Sequence, residues 1–226
     1  MDKNRTPGTA ERSVRVPVGI PTLDGDLTTR SGAAGVVLFA HGSGSSRHSP
    51  RNRHVAAVLR ASGFATLLAD LLTPTEEAID DRTTHLRFDI GLLAGRLAGV
   101  IDWLAVQTDT AGLPVGLFGA STGGGAALVA AARRPDRVRA VVSRGGRPDL
   151  AGDALPAVRC PTLLIVGGHD EAVLDLNRAA FERLAVREKE VAVVRGATHL
   201  FEEPGALDVV ARLAAEWFAR FLPESD

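Results

Sequence analysis

Three short stretches of this 226-residue chain carry the residue types of nucleophilic catalysis: Gly119-Ala-Ser121-Thr-Gly123, Val166-Gly-Gly-His-Asp170 and Gly196-Ala-Thr-His199-Leu-Phe201. A G-x-S-x-G set between a strand and a helix is the pattern of a nucleophile elbow, in which small residues let the chain turn sharply and leave the serine hydroxyl clear at the helix N-terminus. A neutral imidazole can take the proton of Ser121 and return it to a leaving group, which is the chemistry expected of His199. A carboxylate can orient that imidazole and stabilise its cation, and Asp170 is placed for this. Two neighbours compete with it. Glu171 follows directly, and Asp175 reads as a helix-start residue. The chain order is Ser121, Asp170, His199, each after a strand of its own.

A fourth stretch, His41-Gly-Ser-Gly-Ser-Ser46, follows the apolar run that ends in Phe39-Ala40. A glycine-rich loop there lets a backbone N–H face a developing oxyanion. The expected donors are the N–H groups of Thr122 and Ser43, with Gly44 as the alternative to Ser43 and a further substrate contact. His41 reads as a support for the loop. A phosphate loop is excluded, since G-x-x-x-x-G-K-[ST] is absent and the only lysines are Lys3 and Lys189. Arg47 and Arg51 follow this loop, and Arg144 and Arg147 follow the strand after the elbow helix. Both segments leave the sheet at the same edge, so these arginines are candidates for binding a substrate carboxylate, with Arg144 and Arg147 the named substrate contacts.

The elements that must position these residues are legible as alternating patterns. Val14, Val16 and Val18 alternate as in a half-buried strand, and Leu23-Asp-Gly-Asp-Leu-Thr-Thr fits a turn and a second strand, an antiparallel start. Gly35–Ala40 is apolar throughout, as a strand covered on both faces must be. Ala65–Asp70, Val115–Phe118, Ala140–Ser143, Thr162–Val166 and Val191–Val194 repeat that pattern, with helical patterns between them. Ser49-Pro50 starts one helix and Gly63 closes it. Leu86, Ile90, Leu93, Leu97, Val100 and Leu104 form one helical stripe, with Gly91, Gly95 and Gly99 for close packing on the sheet. Thr122 to Arg134 and a stripe from Leu207 to Phe221 supply two more helices. The fold class is α/β: a mostly parallel central sheet with an antiparallel N-terminal start and helices on both faces. Residues 1–12 are expected to be a flexible N-terminus and 13–226 a single domain. The connection 144–161 is short, and chains below about 40 residues seldom fold alone, so no large cap domain is expected and the roof falls to loops 72–84 and 144–159.

Composition narrows the function classes. With 26 basic and 27 acidic residues the formal charge is −1, which gives no electrostatic reason for nucleic-acid binding. Cys160 is the one cysteine, so neither an internal disulfide nor a cysteine zinc cluster is available. The histidines show no metal-ligand spacing, so no metal and no cofactor are expected. No apolar run approaches membrane length and the N-terminus lacks a signal-peptide core, so no membrane partner and a cytoplasmic location are expected. Ser143 ends a strand without a helix directly after it and lacks the elbow pattern.

Taken together, Phe39-Ala-His-Gly-Ser-Gly-Ser-Ser46, Gly119-Ala-Ser-Thr-Gly-Gly124, Val166–Asp170 and Gly196–Phe201 resemble the α/β-hydrolase fold, over residues 13–222. Within it the chain is similar to the dienelactone hydrolase-like group. The resemblance implies a serine hydrolase acting on a small acyl ester, thioester or lactone, without cofactor. Dienelactone hydrolases proper use a cysteine nucleophile where this chain has Ser121, which sets dienelactone itself aside as the substrate. Relatives also occur fused to phosphoribosyltransferase domains, and no such domain lies in these residues. The alternative reading is a hydrolase fold kept as a binding or accessory protein.

Overall fold

The computed structural model describes residues 8–223. Eight strands form one sheet in the order β1-β2-β4-β3-β5-β6-β7-β8. They are β1 (Thr9–Pro17), β2 (Thr22–Arg30), β3 (Val36–Ala40), β4 (Ala65–Ala69), β5 (Val115–Ala120), β6 (Val138–Arg144), β7 (Thr162–Gly167) and β8 (Lys189–Val194). β1 pairs antiparallel with β2, and β2 antiparallel with β4. Every other neighbour pair is parallel.

The continuous apolar runs have the reason expected of them. Along β3, Val36, Leu38 and Ala40 enter one core layer, and Val37 and Phe39 enter the other. The first layer is covered by α3 (Ile90–Leu104), α4 (Thr122–Arg133) and α5 (Glu171–Arg183), the second by α1 (Pro50–Ala61) and α6 (Ala206–Phe221). A strand between two helical layers has no wet face, so alternation disappears from its sequence.

Several details differ from the sequence reading. The expected flexible segment 1–12 includes Thr9–Arg12, which are strand paired with Leu27–Arg30; residues 1–7 lie outside the described residues. The first turn is Val18–Pro21, closed by a 3.0 Å bond from Val18 N–H to the Pro21 carbonyl, so Asp24-Gly25 lies inside β2. Leu86 is not part of α3. It belongs to a separate 3₁₀ turn (Leu86–Phe88), and Asp89 caps α3 by accepting the Leu92 N–H at 2.9 Å. Of the three glycines in α3, Gly99 is the close approach, and it packs against Val18, not flat on the sheet.

The segment 72–84, expected as a loop, is largely a helix, α2 (Pro74–Thr83). Thr73 and Glu76 form a reciprocal capping box with proline in the first turn. Arg96 from α3 holds the other oxygen of Glu76 at 2.6 Å. At the far end Asp80 accepts the Leu86 and Arg87 N–H groups at 2.7 and 3.1 Å and pairs with the Arg87 guanidinium. Segment 144–159 is likewise helical in part, with 3₁₀ turns over Pro148–Ala157.

Candidate active site

Ser121 sits between β5 and α4 with φ +50° and ψ −124°, a region L-residues rarely occupy. It stands at the N-cap of α4, where a serine usually bonds to a backbone N–H of the first turn, yet its hydroxyl makes no such bond. The backbone is held from both sides. Ser121 N–H donates to the Arg144 carbonyl at 3.3 Å, and the Ser121 carbonyl accepts from Gly124 and Arg147 at 2.9 and 3.0 Å. The flanking glycines are required sterically. A Cβ on Gly119 would lie 2.6 Å from the Gly123 carbonyl oxygen, and one on Gly123 would lie 2.2 Å from that of Ala40.

Asp170 and His199 are joined at 2.6 Å, Oδ2 to Nδ1. Asp170 stands at the N-cap of α5 but makes no capping bond, because its carboxylate reaches across to the histidine. Its side chain is half-buried or deeper, and the His199 ring is the more open of the two. Glu171, the competing acid, is exposed in the first turn of α5. Asp175 is not a helix-start residue. It lies in the second turn and pairs with Arg178 at 3.2 Å. The His199 loop is shaped by Glu203, which accepts the Thr198 N–H at 3.0 Å, and by Phe201, held at φ +56°.

The loop after β3 lies directly on the elbow: a Cβ on Gly42 would be 3.0 Å from that of Ser121. The Ser43 and Thr122 hydroxyls are 3.1 Å apart, which brings the two residues' backbones together. Among the described residues the N–H groups of Ser43 and Thr122 have no acceptor, so both are free to serve an incoming oxyanion. His41 is enclosed below them. Its Nδ1 lies 3.0 Å from the Gly42 carbonyl, and its Nε2 accepts the Leu71 N–H at 3.0 Å, which fixes the neutral tautomer. Burial pulls its pKa below the ordinary value, against a weaker opposing pull from the Gly42 carbonyl and Asp70.

The model of the PET hydrolase-like family matches residues 28–226. The chain belongs to that family. A crystal structure described as a dienelactone hydrolase, from Anabaena variabilis, is 62% identical over 95% of this chain and 99% of its own, with a TM-score of 0.93. An esterase structure, Est1E from Butyrivibrio proteoclasticus, shares the fold at 16% identity, covering 92% of this chain and 98% of its own, with a TM-score of 0.76. The α/β-hydrolase fold is thereby established. A Mycobacterium tuberculosis protein named "Putative phosphoribosyl transferase" is 58% identical over 218 residues, 96% of this chain and 48% of that protein. The chain thus spans about half the length of the curated relatives it matches.

In this member of the family a cavity of about 280 Å³ opens beside the loop after β3, with Ser43, Gly44, Leu71, Leu72, Glu77 and Thr122 in its wall. The sequence did not single out Glu77, whose carboxyl is pushed up by burial and by the nearby Asp70 and Asp81 charges. The Thr73-Pro-Thr-Glu76 start signal of α2 was the clue to this wall. Gly44, at φ +64°, lines the cavity beside Arg87.

The four candidate arginines separate. Arg47 is bound by Asp70, with Asp26 also close. The Arg147 guanidinium is forked on Asp149 at 2.9 and 2.8 Å, so its charge is already met and its backbone N–H serves the elbow. Arg51 reaches Glu202 at 3.2 Å. Arg144 has no carboxylate partner among the described residues. Cys160 is buried, which pushes its thiol up to about 12 and leaves it unreactive at neutral pH. Among the described residues no group of three His, Cys, Asp or Glu side chains is placed to hold a metal ion, and no helix is long and apolar enough to cross a membrane.

Proposed function

We propose that the protein is a serine hydrolase that cleaves a small acyl ester, thioester or lactone through an acyl-enzyme. The observation that carries this reading is Ser121 itself. It is held at a positive φ with its hydroxyl unused for capping, on the same sheet edge as an Asp170–His199 pair at 2.6 Å. Strain kept at one residue and a cap left unmade are features a merely structural serine would not need.

Ser121 Oγ attacks the substrate carbonyl carbon while its proton passes to Nε2 of His199. Asp170, on Nδ1, holds the ring in the tautomer whose Nε2 can accept and stabilises the imidazolium. The carbonyl oxygen becomes an oxyanion facing the N–H groups of Thr122 and Ser43. Collapse of the tetrahedral intermediate breaks the bond to the leaving group, which takes the proton from His199. A water molecule then repeats the sequence: its proton goes to His199, its oxygen attacks the acyl carbon, and Ser121 leaves with a proton. A cavity of about 280 Å³ suits a compact acyl group. The transferase name of the longer relatives is not carried over to this chain, which spans about half of them and holds no phosphate-loop sequence.

A fluorophosphonate probe tests the reading. It should attach to Ser121 alone, and labelling should vanish in Ser121→Ala. A folded parent protein that takes no label would instead favour the binding or accessory role.

A further inference from the structure

The proposed chemistry needs Ser121, Asp170 and His199 in register, and they follow three different strands, β5, β7 and β8. One buried polar side chain ties their surroundings together. Asn177 lies two turns into α5, on the helix face that also buries Leu174 and Ala180, and it is fully enclosed. Its amide nitrogen serves two backbone groups. Nδ2 donates to the Val173 carbonyl of its own helix at 2.8 Å and to the Gly146 carbonyl, 31 residues away in the chain, at 3.0 Å. Its Oδ1 is buried and finds no partner among the described residues. An apolar residue would fill the same face of α5 without burying an unmet acceptor, so the packing of the helix does not call for an amide. What the amide adds is the bond to Gly146.

Gly146 belongs to a segment that reaches both halves of the site. Gly145 donates its N–H to the Ile165 carbonyl at 2.7 Å, and a Cβ on it would lie 3.0 Å from the His199 carbonyl oxygen and 3.5 Å from Nδ1 of that ring. Arg147 donates its N–H to the Ser121 carbonyl at 3.0 Å. Between them Gly146 lies against the elbow helix: a Cβ on Gly124 would be 3.1 Å from the Gly146 Cα. Among the described residues no other side chain donates a hydrogen bond to a carbonyl of Gly145, Gly146 or Arg147. On the other side, Asp170 is the N-cap of α5, seven residues and so about 10 Å along the helix from Asn177. The path therefore runs from Asp170 down α5 to Asn177, across to Gly146, and from there to Ser121 through Arg147 and to His199 through Gly145.

We propose that Asn177 is a positioning residue of this site. Its amide fixes α5, and Asp170 with it, to the Gly145–Arg147 segment that holds Ser121 and flanks His199, and so keeps the serine in line with the imidazole. The inference rests on the hydrolase reading for what is aligned, and on the Asn177–Gly146 bond for what aligns it. A hydrogen bond in an enclosed place is stronger than the same bond in water. Alignment is also where rate is most sensitive, since a displacement of about 1 Å at the reacting atoms costs about 10²-fold.

The test separates alignment from folding. In Asn177→Ser the single hydroxyl proton goes to the Val173 carbonyl four residues back, as it does for serine inside a helix, and the bond to Gly146 is lost without added bulk. The full chain and this variant are compared well below their melting temperatures. Fluorophosphonate labelling gives the fraction of chains that react and the rate constant at which they do so. Hydrolysis of p-nitrophenyl acetate gives kcat and KM. The labelled fraction should match that of the parent while the rate constant falls by about 10–100-fold, and kcat should fall by a similar factor with KM within about threefold. A residue that only supports the fold would lower Tm and the labelled fraction and leave the rate constant of the reacting chains unchanged. That result overturns the proposal, as does a loss carried wholly by KM. Should Asn177→Ser fail to fold, Asn177→Ala is judged on the same readouts. Failure of both to fold also overturns the proposal, because the residue then serves the whole fold. A parent that neither labels nor hydrolyses the ester ends the hydrolase reading and this inference with it. A parent that labels, beside a variant that labels as fast, loses this inference alone.

Discussion

Replacing Ser121 by glycine should make the protein more stable than replacing it by alanine, although both variants lose the hydroxyl. Ser121 stands at φ +50°, ψ −124°, where the clash arises from its own Cβ. Alanine keeps the Cβ and therefore the strain; glycine removes both. Strain of this kind costs about 1–3 kcal/mol. Glycine gives back about 0.5–1 kcal/mol because the unfolded chain gains freedom. The midpoints of these two figures leave about 1 kcal/mol in favour of glycine. At about 2–4 °C per kcal/mol for a chain of this size, that is about 2–4 °C in Tm. No hydrogen bond confounds the comparison, since the Ser121 side chain caps nothing and makes no hydrogen bond among the described residues. The assay is thermal and urea unfolding of the two inactive variants side by side. If Ser121→Gly melts at or below Ser121→Ala, the positive φ is not a strained state, and the claim that the fold holds the serine against its own preference fails.

Two further outcomes follow from the same geometry. Asp170→Asn should lower kcat by about 10⁴ while Tm stays within about 2 °C, because the 2.6 Å bond to His199 sets the ring tautomer and the side chain caps no helix; if Glu171→Gln is crippled instead, the orienting acid is misassigned. His41, whose pKa is lowered by burial, is neutral in the fold and gains a proton more readily when unfolded. Its contribution to stability is therefore full above the ordinary histidine value of about 6.5 and is lost as pH falls through that value toward the lowered one. Tm should drop on acidification through this window. His41→Ala should flatten that part of the profile and, at pH 8, cost about 1–3 kcal/mol by leaving the Leu71 N–H without its acceptor. An unchanged profile in the variant would dispose of the role given to His41.

What the sequence could disclose depended on whether the physics was local. The buried strands were legible because coverage on both faces removes alternation, as Val36–Ala40 shows. The elbow was legible because the steric demands at Gly119 and Gly123 arise from the turn's own backbone and from the strand beside it. The roof helix α2 was not, for a reason its burial makes plain. The one buried residue in it is Asp80, so there is no apolar stripe to read, and only the Thr73–Glu76 cap announced it. The arginines fall between these cases. Arg147 has its counter-ion two residues away at Asp149, a pairing that a closer reading of the sequence could reach. The Arg96–Glu76 pair spans 20 residues and the Arg51–Glu202 pair 151, so neither is visible before the chain is folded. Arg144 was marked by its place at a strand end, but its lack of an acid partner among the described residues is a property of everything packed around it. A sequence therefore shows where a charge enters the site sooner than it shows whether that charge is spoken for. Here Arg47, Arg51 and Arg147 each find a carboxylate, and Arg144 finds none among the described residues.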